Sequence, residues 1–315
     1  MTYYNDQPVW KEIQPYLPEQ NRLTQDTLPN ELFIEHDGFS LHIDHYTCQT
    51  PAGVVILLHG VGGNGRLLSF LALPLARAGY EVICPDLPLY GNTKAKGTVT
   101  YNDWITCAAY TAQRFRREGL PLFLFGLSAG GMLAYQVAAD LPAVSGIVAS
   151  CLLDQRDRYV LGEIASSKLL IAVSRPFLPL ASKLIPRLQL PMKLLCDMKN
   201  IANDRSLVQT LLRDRRSSGA RVPISFVYSM LNMPMPVEPE QFTACPMLLV
   251  HPGDDRWTAP QASRVFFDRL ACDKEFVLIN GGGHFPVEPE PLQELAACCV
   301  TFLNRHSQIG AKTAT

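Results

Sequence analysis

Ser128 stands in Gly126-Leu127-Ser128-Ala129-Gly130, a G-x-S-x-G pattern. An apolar run, LPLFLFG, leads into it and a helical one, GGMLAYQVAADLP, follows. A sharp strand-to-helix turn strains the serine's backbone and leaves no room for side chains two residues either side. Gly126 and Gly130 meet that need. The hydroxyl would project above the C-terminal edge of a sheet. The amides opening the next helix would face any negative charge forming there. A tight turn with no chemical role also uses small residues, so the pattern needs partners elsewhere.

A serine hydroxyl is a poor nucleophile until a base takes its proton. Of the seven histidines, His284 in NGGGHFPVEPEP follows a predicted strand. Gly281, Gly282 and Gly283 would free its loop to carry the imidazole back over the sheet. The base in turn needs a carboxylate to hold its tautomer and stabilise the imidazolium. LLVHPGDDRW supplies Asp254 and Asp255 just beyond a strand. Asp255 is favoured because it lies four residues past His251. Asp254, the alternative, would then cap the turn. An oxyanion needs donors, and His59-Gly60-Val61-Gly62-Gly63-Asn64 follows the first buried strand. The amides of Val61 and Ala129 could meet around it. This is the chemistry of acyl transfer to water, with no metal or organic cofactor. GVGGNGRL, residues 60–67, nearly fits a phosphate loop, but Arg66 and Leu67 replace its lysine and hydroxyl residue. His42 and His45 are three apart on a predicted strand, face opposite sides and cannot share a metal.

Short apolar strands must place these loops. ELFIEHDGFSLHIDHYTCQ predicts a hairpin about Asp37-Gly38. GVVILLHG, EVICPDLP, LPLFLFG and VSGIVASC then alternate with helical patterns, as do PMLLVHPGDD and KEFVLING further on. That alternation predicts an α/β fold with a mostly parallel sheet covered on both faces. Residues 155–235 show no clear strand and are punctuated by prolines, which predicts a helical insertion. Residues 1–30 predict an N-terminal arm over the domain surface. Within the insertion, residues 161–221 hold 11 Lys/Arg and 4 Asp/Glu, a balance of +7. The whole chain is at −1, leaving −8 elsewhere. The basic segment is either a solvated surface or one that meets an anionic lipid surface or an anionic substrate.

The 315 residues, 47% hydrophobic and 18% charged, fit a globular chain. A net charge of −1 gives no general attraction to nucleic acid. Nine scattered cysteines without a CxxC pair argue against a disulfide framework or zinc ribbon. They point to a reducing, cytoplasmic compartment. The first twenty residues lack the basic start and apolar run of a secretory leader. Residues 120–139 carry no charge over a length that could span a bilayer. Their internal proline and glycines fit a strand, a turn and a buried helix better.

Together HGVGGNG, PDLPLYGNT, GLSAGG, HPGDDRW and GGGHF resemble the α/β-hydrolase superfamily over roughly residues 32–305. Within it the chain resembles the lysophospholipase, monoacylglycerol lipase and serine aminopeptidase group. The resemblance implies a core of residues 31–154 and 236–315 with a helical cap over 155–235. It implies Ser128 as nucleophile, Asp255 as acid, His284 as base, and Val61 and Ala129 as oxyanion amides. A serine nucleophile separates the chain from the dehalogenases and epoxide hydrolases of this fold, which use aspartate. The acid loop of the group reads H-G-x-x-D. Pro252 stands here at the glycine, which keeps Asp254 open. The proline-rich cap matches no subgroup, so substrate identity does not carry over. The expected activity is a serine hydrolase cleaving an apolar acyl ester. Thioesters and peptide-terminal amides suit the same triad. A silent binding protein would be expected to have lost one of its members.

Overall fold

The computed structural model describes residues 3–7, 9–232 and 235–312. A short helix, α1 (Val9–Ile13), lies in the arm. Strands β1 (Asn30–His36) and β2 (Phe39–Tyr46) form the hairpin. Asp37 and Gly38 turn it with φ of 44° and 81°, the left-handed geometry that a two-residue hairpin demands. Then follow β3 (Val54–Leu58), α2 (Ser69–Arg77), β4 (Glu81–Pro85) and the two-residue β5 (Lys94–Ala95). Next come α3 (Tyr101–Phe115), β6 (Leu122–Gly126), α4 (Ala129–Asp140) and β7 (Val144–Ala149). Residues 120–139 thus divide between β6 and α4. Among the described residues no helix is long and apolar enough to cross a membrane.

The segment after β7 holds α5 (Arg158–Ile164), α6 (Lys168–Ser174), α7 (Leu178–Leu184), β8 (Gln189–Pro191), α8 (Met192–Leu195), α9 (Arg205–Arg213), β9 (Arg221–Pro223) and α10 (Ile224–Leu231). The expectation of no strand here needs correcting, because β8 and β9 pair antiparallel through Leu190 and Val222. Each is three residues long and ends in proline, too short for an alternation signal. The core then resumes with β10 (Met247–Pro252), α11 (Pro260–Phe267), β11 (Lys274–Ile279) and α12 (Pro289–Lys312).

Strand order in the large sheet is β1-β2-β4-β3-β6-β7-β10-β11, with β5 against β2. The hairpin strands pair antiparallel with their neighbours, and the pairings from β4 to β11 are parallel. Every residue of β3, β4, β6 and β10 is buried, as helices on both faces require. The loops leaving β3, β6, β10 and β11 carry Val61, Ser128, Asp255 and His284. Parallel pairing sends all four to one edge of the sheet, the usual ligand edge of such folds.

The arm is tied in at two places. Pro74 inside α2 has no N–H, which frees the carbonyl of Phe70 one turn earlier. The Asn21 amide donates to that carbonyl at 2.8 Å. Further along, Tyr4 and Trp10 sit over the Arg66 guanidinium, each ring centre 4.7 Å away. Arg66 is buried, donates to Asp44 at 2.5 Å and lies 3.2 Å from Glu31. His42 bridges Glu31 (2.9 Å) and Asp86 (3.0 Å), and the Tyr4 hydroxyl donates to Asp86 at 3.0 Å. His45 instead meets Glu81 at 2.7 Å, so the two histidines share no partner. Burial opposes a charged His42, but Asp86 and Glu31 outweigh it and raise its pKa to about 10.

A raised folded-state pKa gives stability that is full below the unfolded value of 6.5 and is lost as pH rises through about 10. The melting temperature is therefore expected to fall between pH 7 and 10. His42→Gln should be less stable at pH 7 and show a shallower decline. Parallel slopes in the two proteins, read by circular dichroism melts, would contradict this.

Candidate active site

The turn after β6 is built by exclusion of side chains. Ser128 has φ 55° and ψ −123°, a conformation that L residues rarely hold. A Cβ on Gly126 would stand 2.1 Å from the Gly130 carbonyl oxygen. One on Gly130 would meet the Leu58 oxygen at 2.1 Å, and one on Gly131 the Cys151 oxygen at 1.9 Å. β3, β7 and the elbow thus touch backbone to backbone. The Ser128 amide is held by the Ser150 hydroxyl at 3.0 Å.

The loop after β3 presses on the same elbow. A Cβ on Gly60 would lie 2.8 Å from both the Leu127 oxygen and the Ser128 Cβ. His59 holds this loop from beneath. Its Nδ1 donates to the Gly60 carbonyl at 2.8 Å, and its Nε2 accepts from the Leu87 amide at 2.9 Å. Burial lowers its pKa to about 4, so it stays neutral and keeps both bonds. Asp86 accepts from the amides of Gly65 and Asn92, both at 2.7 Å. Among the described residues neither the Val61 nor the Ala129 amide donates within the protein, and Ala129 opens α4, where amides are free.

The histidine loop arrives through Gly281 and Gly282, with φ of 79° and 81°. His284 Nδ1 lies 2.7 Å from Asp255 Oδ2. Asp254 makes no such contact: it is exposed, and its amide donates to the Gly281 carbonyl at 3.4 Å. Asp255 Oδ1 accepts from the amides of Trp257 (2.8 Å) and Thr258 (2.9 Å), and Oδ2 from the Thr258 hydroxyl (2.7 Å). Burial would raise the Asp255 pKa, but His284 and Thr258 pull it down to about 2. Burial likewise opposes an imidazolium, yet Asp255 raises the pKa of His284. The pair therefore favours an imidazolium at His284. Its Nε2 has no hydrogen-bond partner among the described residues. Ser128, His284 and Val61 line one small chamber of about 20 Å³.

From Ser128 a second cavity of about 400 Å³ runs under the insertion. Val61, Ala129 and Thr258 line its floor, and Phe177, Leu194 and Met230 are among its walls. Among the described lining residues Arg175 alone is charged. Trp257 packs on His284, ring centres 4.6 Å apart, and its indole donates to the Ile164 carbonyl of α5 at 3.1 Å. The insertion and the acid loop are thereby joined. Thr258, Ser150 and the double bond of His59 escaped sequence reasoning. Asp-x-x-Thr in a turn was a readable signal for Thr258, since Asp side chains bind amides two and three residues on.

A family model described as serine aminopeptidase, S33, matches residues 49–289. The chain belongs to this family. The S33 chain is 25% identical over 289 residues to the monoacylglycerol lipase of Mycolicibacterium smegmatis, spanning 89% of this chain and 98% of that protein. It is 32% identical over 104 residues to a thermostable monoacylglycerol lipase of a Bacillus species, spanning 33% of this chain and 41% of the relative. Its fold matches a soluble variant of the Saccharomyces cerevisiae monoglyceride lipase, solved with a substrate analogue. There the TM-score is 0.74 and the identity 21%, over 90% of this chain and 97% of the other. The chain is thus an α/β hydrolase of this serine-hydrolase family.

The glycines of the elbow set a sharp expectation. Gly131→Ala should cost about 3 kcal/mol or more, because its Cβ meets backbone that cannot move aside. Gly162→Ala in α5 meets no atom nearer than 3.5 Å and should stabilise by about 0.5–1 kcal/mol. Urea unfolding of both variants reads the contrast, and equal effects would contradict it.

Proposed function

We propose that the chain hydrolyses esters of a single long acyl chain, of the monoacylglycerol type, through Ser128, His284 and Asp255. The observation that carries this is the conjunction at Ser128. A strained serine shares a chamber with a histidine held at 2.7 Å by a buried carboxylate, and it opens on an apolar cavity. Ser128 Oγ attacks the carbonyl while His284 Nε2 takes its proton. The amides of Val61 and Ala129 receive the oxyanion. His284 then protonates the leaving alcohol, and water clears the acyl-enzyme by the same route. No resident metal or organic cofactor is required by these steps.

The cavity falls in the range of about 300–1,000 Å³ typical of small-molecule pockets. Its walls suit an alkyl chain. A peptide's free amino group would call for a carboxylate, and no Asp or Glu is among the described lining residues. That favours an ester over an aminopeptidase substrate. The names of the relatives lend the same support.

A fluorophosphonate probe should label the wild type and leave Ser128→Ala unlabelled. Asp255→Asn should lower kcat by about 10⁴-fold, as loss of the tautomer-holding carboxylate does elsewhere. Across p-nitrophenyl esters, kcat/KM should rise with chain length, with monoacylglycerol turned over and amino-acid amides not. A short-chain optimum would refute the lipid reading.

The cap expected over residues 155–235 carries a second part of the proposal. Large exposed hydrophobic residues gather there, including Leu169 (74%), Phe177 (68%) and Leu184 (71%). Five exposed cations, Lys168, Arg175, Lys183, Arg187 and Lys193, lie among them, and residues 164–196 hold no Asp or Glu. Apolar contact with cationic flanks matches an anionic bilayer surface, the source of the proposed substrate. The chain should sediment with vesicles containing anionic lipid at low salt, and less at high salt. Phe177→Ser with Leu184→Ser should weaken binding at least tenfold. No binding to anionic vesicles at low salt would end this part.

A further inference from the structure

Behind His284 lie two side chains, Cys151 and His251, that the proposed reaction does not use. Cys151 follows β7, and His251 is the fifth residue of β10. His251 is fully buried. Its Nδ1 lies 2.9 Å from the Pro252 carbonyl, which can only accept, so Nδ1 carries the proton. Its Nε2 faces Cys151 Sγ at 3.8 Å, and one further proton is shared between the sulfur and the imidazole there. Metal-binding histidines are oriented in this way, by a carbonyl on the far nitrogen. Sγ is also 3.6 Å from the Thr258 hydroxyl, which donates to Asp255. Ligand atoms of Cys151, His251 and Asp255 all lie within 4.8 Å of one another.

We propose that Cys151, His251 and Asp255 form an inhibitory site for a thiophilic divalent cation such as zinc. Zinc bonds of about 2.3 Å to sulfur and 2.0–2.1 Å to nitrogen place the two ligands roughly 3.6 Å apart in a tetrahedron. The 3.8 Å found here needs almost no adjustment. A thiol, a neutral imidazole and a carboxylate make a mixed donor set typical of zinc rather than of magnesium or calcium. On binding, the one proton shared by Cys151 Sγ and His251 Nε2 leaves to solvent, and sulfur–metal and nitrogen–metal bonds form in place of the bond to that proton. His251 keeps its Nδ1 proton. Asp255 turns an oxygen from His284 Nδ1 to the cation.

The consequence for the active site is direct. His284 loses the acceptor that holds its tautomer. A dication beside it also disfavours the imidazolium that the reaction passes through. The binding stands on the three ligands alone, whereas the inhibition rests on the triad reading. Because Cys151 is only 1% exposed, onset should be slow compared with mixing. The other eight cysteines do not supply a comparable group among the described residues.

The test uses the full chain with cadmium as the spectroscopic probe and zinc as the inhibitor. Wild type should bind one cadmium with a thiolate-to-metal charge-transfer band, by titration and equilibrium dialysis. Cys151→Ser should lose the band and bind at least tenfold more weakly. His251→Gln provides a second variant if Cys151→Ser does not fold. Zinc should progressively inhibit wild-type ester hydrolysis, with recovery on adding EDTA. Whatever the metal-free rate of Cys151→Ser, zinc should not lower it further. A missing band in wild type, or a band and inhibition that persist in Cys151→Ser, overturns the proposal. A Cys151-dependent band in a protein without esterase activity would uphold the metal site and refute the triad reading instead.

Discussion

Everything at the sheet edge depends on one steric condition, that backbone may touch backbone around Ser128. β3, β7 and the start of α4 close on the elbow at distances that no Cβ could share. This contact holds the serine in its strained conformation, since nothing local would keep φ positive there. It also brings the glycine loop after β3 against Ser128 and Ala129, so Ser128 and the two free amides are placed together. Flexible side chains in those positions would have spread the three apart.

Around this dry contact the molecule arranges charge in closed sets. The Asp255 carboxylate is buried, but four donors from two loops reach it, which keeps it ionised. On the far side of the glycine loop, Arg66 and His42 pair with Glu31, Asp44 and Asp86. Such buried sets contribute little net stability, but leaving one member unpaired is costly. They therefore serve as fixed points from which the mobile-looking glycine loops are hung. The insertion follows a different logic. It leaves apolar and cationic groups in solvent over an almost uncharged cavity.

Sequence reasoning reached the elbow, the histidine loop and the order of strands because each has a local signature. G-x-S-x-G reports a steric need, Gly281 to Gly283 report a reversal, and apolar runs report buried parallel strands. Asp254 and Asp255 were harder, because only the direction of one side chain separates them, and that direction is set by amides of Trp257 and Thr258. The pairing of β8 with β9 was invisible because three residues ending in proline carry no period. The Arg66 network was hidden for another reason. Its members come from five separate places in the chain, and a buried arginine has no signature until its partners are known. In Gly60–Leu67 that arginine was one of the two residues that broke a near match to a phosphate loop.

The arm and hairpin change what counts as a unit in this chain. The family match covers residues 49–289 and contains Ser128, Asp255 and His284. It omits Tyr4, Trp10, Glu31, His42 and Asp44, the groups that surround Arg66 and Asp86. A protein cut to the matched span would hold Ser128, Asp255 and His284 and yet take Glu31 and Asp44 from the Arg66 guanidinium, and Tyr4 and His42 from Asp86, which would keep the amides of Gly65 and Asn92. Each uncompensated ion costs about 3–5 kcal/mol, against a total stability of about 5–15 kcal/mol. The span that the family model matches thus stops short of the charge network around Arg66.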